Sequence, residues 1–312
     1  MPLWCLTTYP VLNIGIIGLG DIAQKAYLPV ISRRKIQCHL FSRNETTLRK
    51  IGETYRFNNL HLSLDSLISS GIQAAFVHSA TSAHFEIVEK LLQNNINVYV
   101  DKPLTYDLQS SEKLIALAED KNLILQVGFN RRYAPAYRQL KTLADHNMVV
   151  MQKNRQSLPA DVRTFVFDDF IHVVDTLLYF FPHHIEKLNV SGKKKANMLY
   201  HVVIQLTSAS GSTAIGIMNR DCGTTEEILE VFSPEAKMVA YNVNDVFVHK
   251  NKQVIRTGTD DWTSTLHKRG FEQIVDDFLM AVESGRPPQV SAQEHLRTHK
   301  VCEEVVEKLK MI

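Results

Sequence analysis

Between residues 12 and 34 an apolar run closes on glycines and passes directly into a helix-like stretch. The join reads Gly18-Leu19-Gly20-Asp21-Ile22-Ala23. Three small residues at this spacing serve one geometry. Gly18 permits a tight turn, Gly20 lets the backbone approach a pyrophosphate, and Ala23 lets the helix lie close to the strand. Amides at the helix N-terminus then face anionic oxygens. A glycine-rich turn after a strand is often only a turn. Its place at the first strand-to-helix junction of an alternating chain points to a bound dinucleotide. Gly18, Gly20, Asp21, Ile22 and Ala23 are therefore candidate cofactor-binding residues.

The alternation continues to about residue 130. Apolar runs at 12–17, 37–41, 74–77, 97–100 and 123–127 are separated by helical stretches at 21–34, 46–55, 82–94 and 108–119. In the third of these, Phe85, Val88, Leu91 and Leu92 keep the 3, 4, 7 spacing of one helical face. Strands apolar on both faces and separated by helices predict an α/β, doubly wound parallel sheet of Rossmann type over residues 1–130. Beyond it the rhythm changes. Helices are expected at 134–144 and 170–181, and strands at 148–153, 187–190, 200–206, 213–218, 228–232 and 246–250. These strands alternate apolar with polar, which predicts a large, mostly antiparallel open sheet with one face solvated or covered by a partner. A helix at 271–284 stops at Gly285-Arg286-Pro287-Pro288, and Ser291 with Glu294 forms a capping box for the last helix. Residues 131–312 read as an α+β domain for substrate and oligomerisation, with a C-terminal helix able to pack back on the first domain.

At roughly 150 residues per domain, 312 residues suit two. A formal net charge of +2 gives no reason to expect nucleic acid or an anionic membrane as partner. No apolar run approaches the ~20 residues of a membrane span. Residues 1–12 have no basic residue, so no secretory signal is expected there. Cys5, Cys38, Cys222 and Cys302 are scattered, without disulfide or zinc spacing. The expectation is a cytoplasmic protein without a metal.

NAD-preferring sites place a carboxylate at the end of the second strand, on the adenosine ribose. Here that strand ends Leu40-Phe41-Ser42-Arg43-Asn44. Ser42 can donate to a 2′-phosphate, and Arg43 can pair with it or stack on adenine. NADP is the expected cofactor, with NAD possible. The plainer alternative makes Arg43 a solvated loop residue and Asn44 a helix cap.

Further motifs stand at sheet ends: Val77-His78-Ser79-Ala80-Thr81-Ser82-Ala83-His84, Asp101-Lys102-Pro103-Leu104, Val127-Gly128-Phe129-Asn130-Arg131-Arg132-Tyr133 and Asp168-Asp169-Phe170-Ile171-His172-Val173-Val174-Asp175. With the glycine turn they resemble the Gfo/Idh/MocA oxidoreductase family, most closely its bacterial MviM-type subgroup. The resemblance is strong to about residue 185 and looser beyond. It implies an NAD(P)-dependent oxidoreductase moving hydride between a nicotinamide and a hydroxyl or carbonyl carbon of a small, sugar-like molecule. A catalytically silent nucleotide-binding regulator is the competing reading.

Asp101-Lys102-Pro103 stands where the family has Glu-Lys-Pro, so Lys102 is the candidate donor to the reacting oxygen. Otherwise it is a surface lysine before a turn-forming proline. Asp168, His172 and Asp175, spaced i, i+4, i+7, share a helical face. The resemblance makes His172 an acid/base, with Asp168 orienting it or binding a substrate hydroxyl. The plain alternative is a helix start with an acidic first turn and a buried, satisfied histidine. Phe170 departs from the family's usual glycine and either narrows the pocket or turns aside. Ser79, Thr81 and His84 fall in the family's nicotinamide-side loop. Arg131 reaches coenzyme or substrate, or else forms an interdomain salt bridge. Trp262 either rims the pocket or packs. His183, His184, His295 and His299 read as surface positions. Pairing of family members through the large sheet implies a homodimer or dimer of dimers, a monomer being the alternative.

Overall fold

The computed structural model describes residues 11–311. Cys5, and residues 1–10 of the segment weighed as a signal, lie outside the described residues. A six-stranded parallel sheet comes first. Its strands are β1 (Asn13–Ile17), β2 (Gln37–Phe41), β3 (Asn59–His61), β4 (Ala74–Val77), β5 (Asn97–Val100) and β6 (Leu125–Val127). Their spatial order is 3-2-1-4-5-6, the doubly wound Rossmann arrangement, and its ligand crevice lies at the carboxyl ends where the order reverses between β1 and β4.

Side chains of this sheet alternate between two cores. Ile14, Ile16, Leu40 and Phe76 join Ile274 and Phe278 of the helix Phe271–Ser284, which returns to cover one face. Ile17, Ala75, Val77, Val98 and Val100 join Leu91, Leu92 and Leu114 on the other. Burial on both faces explains the continuous apolar runs.

The second sheet has eight strands: β7 (Met148–Asn154), β8 (Lys187–Lys195), β9 (Met198–Thr207), β10 (Thr213–Asn219), β11 (Glu226–Phe232), β12 (Lys237–Tyr241), β13 (Asp245–Lys250) and β14 (Gln253–Thr257). Their order is 14-13-12-11-7-10-9-8, antiparallel except for the β7–β10 pair. Val149, Met151, Ala214, Met218, Leu229 and Val231 face the helix Ile171–Phe180. Gly216 permits that helix to lie close, since a Cβ there would stand 2.8 Å from Leu177 and 3.0 Å from Val173.

β3, β12, β14 and the helix Leu64–Ser69 were not legible in the sequence. β3 has three residues, two of them polar, and β14 is an exposed edge strand without a buried side. The helix bearing His172 starts earlier than expected. Asp161 caps it, accepting from the Thr164 amide at 3.1 Å, and the helix runs through Val162–Phe165, a wide π-turn at Val166–Phe170, and Ile171–Phe180. Asp168 and Asp169 are therefore mid-helix, which removes the reading of an acidic first turn.

Candidate active site

At the first turn Gly18 has φ +83°, and a Cβ there would stand 2.5 Å from the Ser79 amide nitrogen. Only glycine fits both the angle and the contact. Gly20 faces open space, and Ala23 is fully buried against the strand. Gln24 Nε2 donates to the Leu19 carbonyl at 2.8 Å, fixing the turn. Across from it the Ser79 hydroxyl is buried without a hydrogen-bond partner among the described residues. An open glycine cradle beside an unpartnered hydroxyl fits the phosphates of a dinucleotide. Asp21 and Ile22 are exposed at this helix start, Asp21 pairing with Lys25 at 2.8 Å.

At the end of β2, Ser42 Oγ accepts from the Asn44 amide at 3.1 Å, and Asn44 caps the next helix through the Thr47 amide at 2.9 Å. Arg43 is exposed, with no ion pair or hydrogen bond of its side chain among the described residues.

β5 delivers Asp101 and Lys102 to the crevice. The Lys102 ammonium donates to the Asp168 main-chain carbonyl at 2.5 Å. Asp101 Oδ1 accepts from the Lys102 amide at 3.0 Å and from the Tyr27 hydroxyl at 3.2 Å, and that hydroxyl stands 2.9 Å from Tyr99. Burial raises the Asp101 carboxyl above the usual carboxylate range, against the pull of Lys102. His84 ties two backbones together: its ring nitrogens stand 2.9 Å from the Pro103 carbonyl and 3.0 Å from that of Ser79. Thr81 faces Tyr106, whose hydroxyl donates to Asp168 Oδ1 at 2.6 Å. Burial and the neighbouring carboxylate push Tyr106 up to about 12.

His172 is half-buried one turn beyond Asp168. Burial, then the charges of Arg131, Lys153, Lys102 and Arg155, hold its imidazole well below the usual histidine value. It makes no side-chain hydrogen bond to Asp168. Lys153, buried on β7, ion-pairs with Asp169, which also accepts from Arg155 Nε at 3.2 Å. Burial and Arg131 bring the Lys153 ammonium down to about 7. Arg131 grips Glu227 with two bonds, at 2.6 and 2.7 Å, and the Tyr137 hydroxyl donates to the same carboxylate at 2.7 Å. Arg131, Lys153, Arg155 and Glu227 line a cavity of about 210 Å³.

Residues 12–129 match the family described as oxidoreductase family, NAD-binding Rossmann fold (GFO_IDH_MocA), and residues 135–251 match the YceM-like C-terminal domain. Over 300 residues the chain is 33% identical to the protein YceM of Salmonella typhimurium, covering 94% of this chain and 96% of the relative. The chain belongs to the Gfo/Idh/MocA oxidoreductase family. Among solved structures, the dehydrogenase MviM from Clostridium difficile has a TM-score of 0.91 at 29% identity, covering 95% of this chain and 99% of its own. A Gfo/Idh/MocA family oxidoreductase from Vibrio cholerae has a TM-score of 0.89 at 30% identity, covering 96% of this chain and 99% of its own. Myo-inositol 2-dehydrogenase of Thermotoga maritima is 24% identical over 91% of this chain and 92% of its own. As a Gfo/Idh/MocA member the chain is a nicotinamide-dependent dehydrogenase or reductase acting on CH–OH groups.

Within that family site, several readings of the sequence change. Asp175 does not share the crevice with Asp168 and His172. It is buried, held by Arg132 at 2.8 Å and by the Thr298 hydroxyl at 3.0 Å. The π-turn at Val166–Phe170 takes Asp168 off the regular helical count, while Asp175, on the regular helix beyond it, is drawn to Arg132. Phe170 is turned aside into the core. His295 and His299 are buried, not surface residues, because the last helix is packed on three sides; His299 Nε2 accepts from the Leu104 amide at 2.9 Å. Trp262 is 96% exposed, so it neither rims a pocket nor packs among the described residues.

The sequence reading missed Lys153, Arg155, Asp169 and Glu227. A signal existed for Lys153: it continues the buried Val149, Met151 side of β7, where a lysine needs a reason. The ion-pair partners, contributed by a different strand and helix, had no local signal.

Proposed function

We propose that the chain is an NADP-linked dehydrogenase or reductase of a small polyhydroxylated substrate, with Lys102 and His172 as its working residues and Asp168 as a substrate contact. The observation carrying this is the Lys102–Asp168 bond, which draws the end of β5 to the helix bearing His172. When bound, a nicotinamide coenzyme supplies hydride acceptance or donation. The Lys102 ammonium has three donors and uses one on Asp168, leaving two for the substrate oxygen. There it stabilises negative charge developing on that oxygen. His172, held neutral by burial and its cationic neighbours, takes the hydroxyl proton as the C–H bond breaks, and returns it in the reverse direction.

Coenzyme contacts are assigned to Gly18, Gly20, Asp21, Ile22, Ser42, Arg43, Ser79, Thr81 and Arg131, with the buried Ala23 and His84 supporting the two loops from behind. For Arg131 the bidentate bond to Glu227 supports the salt-bridge role at least as well. The absence of a carboxylate at 42–44 supports NADP. A residue 1–130 domain holding coenzyme and a residue 131–312 domain holding substrate complete the reading, with the second sheet pairing two copies. Free Cys38, Cys222 and Cys302 suit a reducing cytoplasm.

The test titrates NADPH and NADH into wild type and Arg43→Ala, then screens polyols and sugars at the nicotinamide absorbance. Wild type should prefer NADPH, and Arg43→Ala should lose about 5- to 150-fold of that affinity selectively. Tighter NADH binding by wild type overturns the NADP assignment.

A further inference from the structure

Near Asp168 and Asp169, two arginines emerge together from the second sheet. Arg155 follows β7 and Arg220 follows β10, the one parallel pair of that sheet among the described strands. The Arg155 amide donates to the Asn219 carbonyl at 2.8 Å, which sets the two residues side by side. Lys153 pairs with Met218 in register, and Arg155 and Arg220 each stand two residues further on, so all four positions share the helix-facing side.

Arg131 is matched by Glu227, and Asp169 is shared between Lys153 and Arg155. Arg220 has no ion pair of its own among the described residues, although the Asp168 and Asp169 carboxylates lie near enough to act on its charge. It is only 6% exposed, its guanidinium lies over the Phe165 ring at 5.0 Å, and its Nε and Nη1 have no hydrogen-bond partner among the described residues. The ring offsets part of the cost of burying a cation, but it accepts neither N–H bond. Buried guanidinium donors without protein acceptors are expensive, and an anionic ligand is one acceptor that would satisfy them. A carboxylate or phosphate supplies those acceptor oxygens in charged form, the stronger kind of partner for a guanidinium. The coenzyme's own phosphates have their place at the Gly18 turn on the other sheet. An anion at Arg220 belongs to the second ligand.

We infer that the substrate carries an anionic group, a carboxylate or a phosphate, received by Arg220 with Arg155 beside it. This deepens the function proposed above and rests on it. It narrows the substrate class from neutral polyols to acidic or phosphorylated ones. The reacting carbon then sits at Lys102 and His172, and the anion fixes which hydroxyl meets them.

Calorimetric titration of sorbitol, gluconate and inorganic phosphate into the purified protein, with and without NADPH, tests this. Gluconate or phosphate should bind at least about tenfold tighter than sorbitol, and whichever binds identifies the group. Arg220→Gln should weaken that anion by about 10- to 100-fold, while Arg220→Lys recovers part of the loss. A thermal melt of each variant separates lost binding from lost folding, and Arg155→Gln gives a second reading should Arg220→Gln not fold. Neither anion exceeding sorbitol, or both binding Arg220→Gln as tightly as wild type, overturns the inference. Failure of NADPH and NADH to bind at all strikes instead at the proposed oxidoreductase reading, because the anion titration without coenzyme is read independently.

Discussion

The Lys102 ammonium stands 2.5 Å from the main-chain carbonyl of Asp168, so a strand end of the first sheet is fastened to a helix that packs on the second. The lysine is held by a neutral acceptor rather than by a carboxylate, which leaves its charge available to a reacting oxygen. Lys102→Ala should lower kcat by about 10²- to 10³-fold, the usual loss for one donor to a developing oxyanion. Coenzyme affinity, read by fluorescence titration, should change little, because the interaction strengthens only in the transition state. Wild-type turnover by the variant removes Lys102 from the chemistry.

His172 makes the second expectation, and its sign follows from its surroundings. Burial and the nearby Arg131, Lys153, Lys102 and Arg155 all disfavour imidazolium. In the oxidative direction the neutral ring is the active form, so kcat/KM should hold as pH falls through about 6.5 and decline only below it. His172→Ala should flatten that acid limb as well as slow the reaction. A limb centred at or above the ordinary histidine value, or one that survives the substitution, assigns it to another group.

Much of this architecture was legible because burial on both faces writes a continuous apolar run, and five such runs mark five of the six parallel strands. The Gly18–Ala23 turn was equally plain, since its first position needs a glycine by angle and contact and its last a small residue against the strand. What stayed hidden were features set by tertiary partners. Asp175 resembled a site residue by spacing, yet Arg132, which is 43 residues away along the chain, claims it. His295 and His299 sit among charged neighbours in sequence and look solvated, while the folded helix buries them. Asp168 looked like part of a first turn because Asp161, seven residues earlier, was not read as the cap.

The Arg131–Glu227 pair bears on stability. Burial alone would raise the Glu227 carboxyl, but Arg131, Lys153 and the Tyr137 hydroxyl outweigh it and hold the group at about 2. A carboxyl lowered on folding stabilises fully above its unfolded value of about 4.3 and loses that contribution as pH falls toward the folded value. Glu227→Gln leaves Arg131 buried beside a neutral amide and should cost about 3–5 kcal/mol at pH 7. The difference between wild type and variant in urea melts should shrink as pH falls from about 4.5 to 2. A gap that stays constant over this range removes the charge of Glu227 as its cause.

Gly18 offers a test of the coenzyme turn. A Cβ would stand 2.5 Å from the Ser79 nitrogen and 2.6 Å from the His78 carbonyl carbon, both backbone atoms unable to swing away. Gly18→Ala should lower thermal stability and weaken NADPH binding by more than about tenfold. At Gly20 the added methyl meets no protein atom within 4 Å, so Gly20→Ala should leave the melting temperature near wild type while still weakening the coenzyme. Equal coenzyme binding by both variants and wild type places the dinucleotide elsewhere.

The outer face of the large sheet bears on assembly. Across one register row stand Val203, Ile217, Gln152, Ile228 and Tyr241, on β9, β10, β7, β11 and β12. They point away from the helix Ile171–Phe180, which covers the opposite side. Apolar side chains in such a row lose surface to water if a second copy lies against them, and a two-fold axis presents every substitution twice. Light scattering at micromolar concentration should give twice the 35.5 kDa of the chain. Ile217→Lys places two charges in the interface, and each lost isoleucine contact is worth about 1.5–3 kcal/mol, so dimer affinity should fall by at least about 100-fold. The variant should scatter as a monomer with an unchanged melting profile at low concentration. A wild-type mass of one chain, constant on concentrating and on adding coenzyme, rules the dimer out.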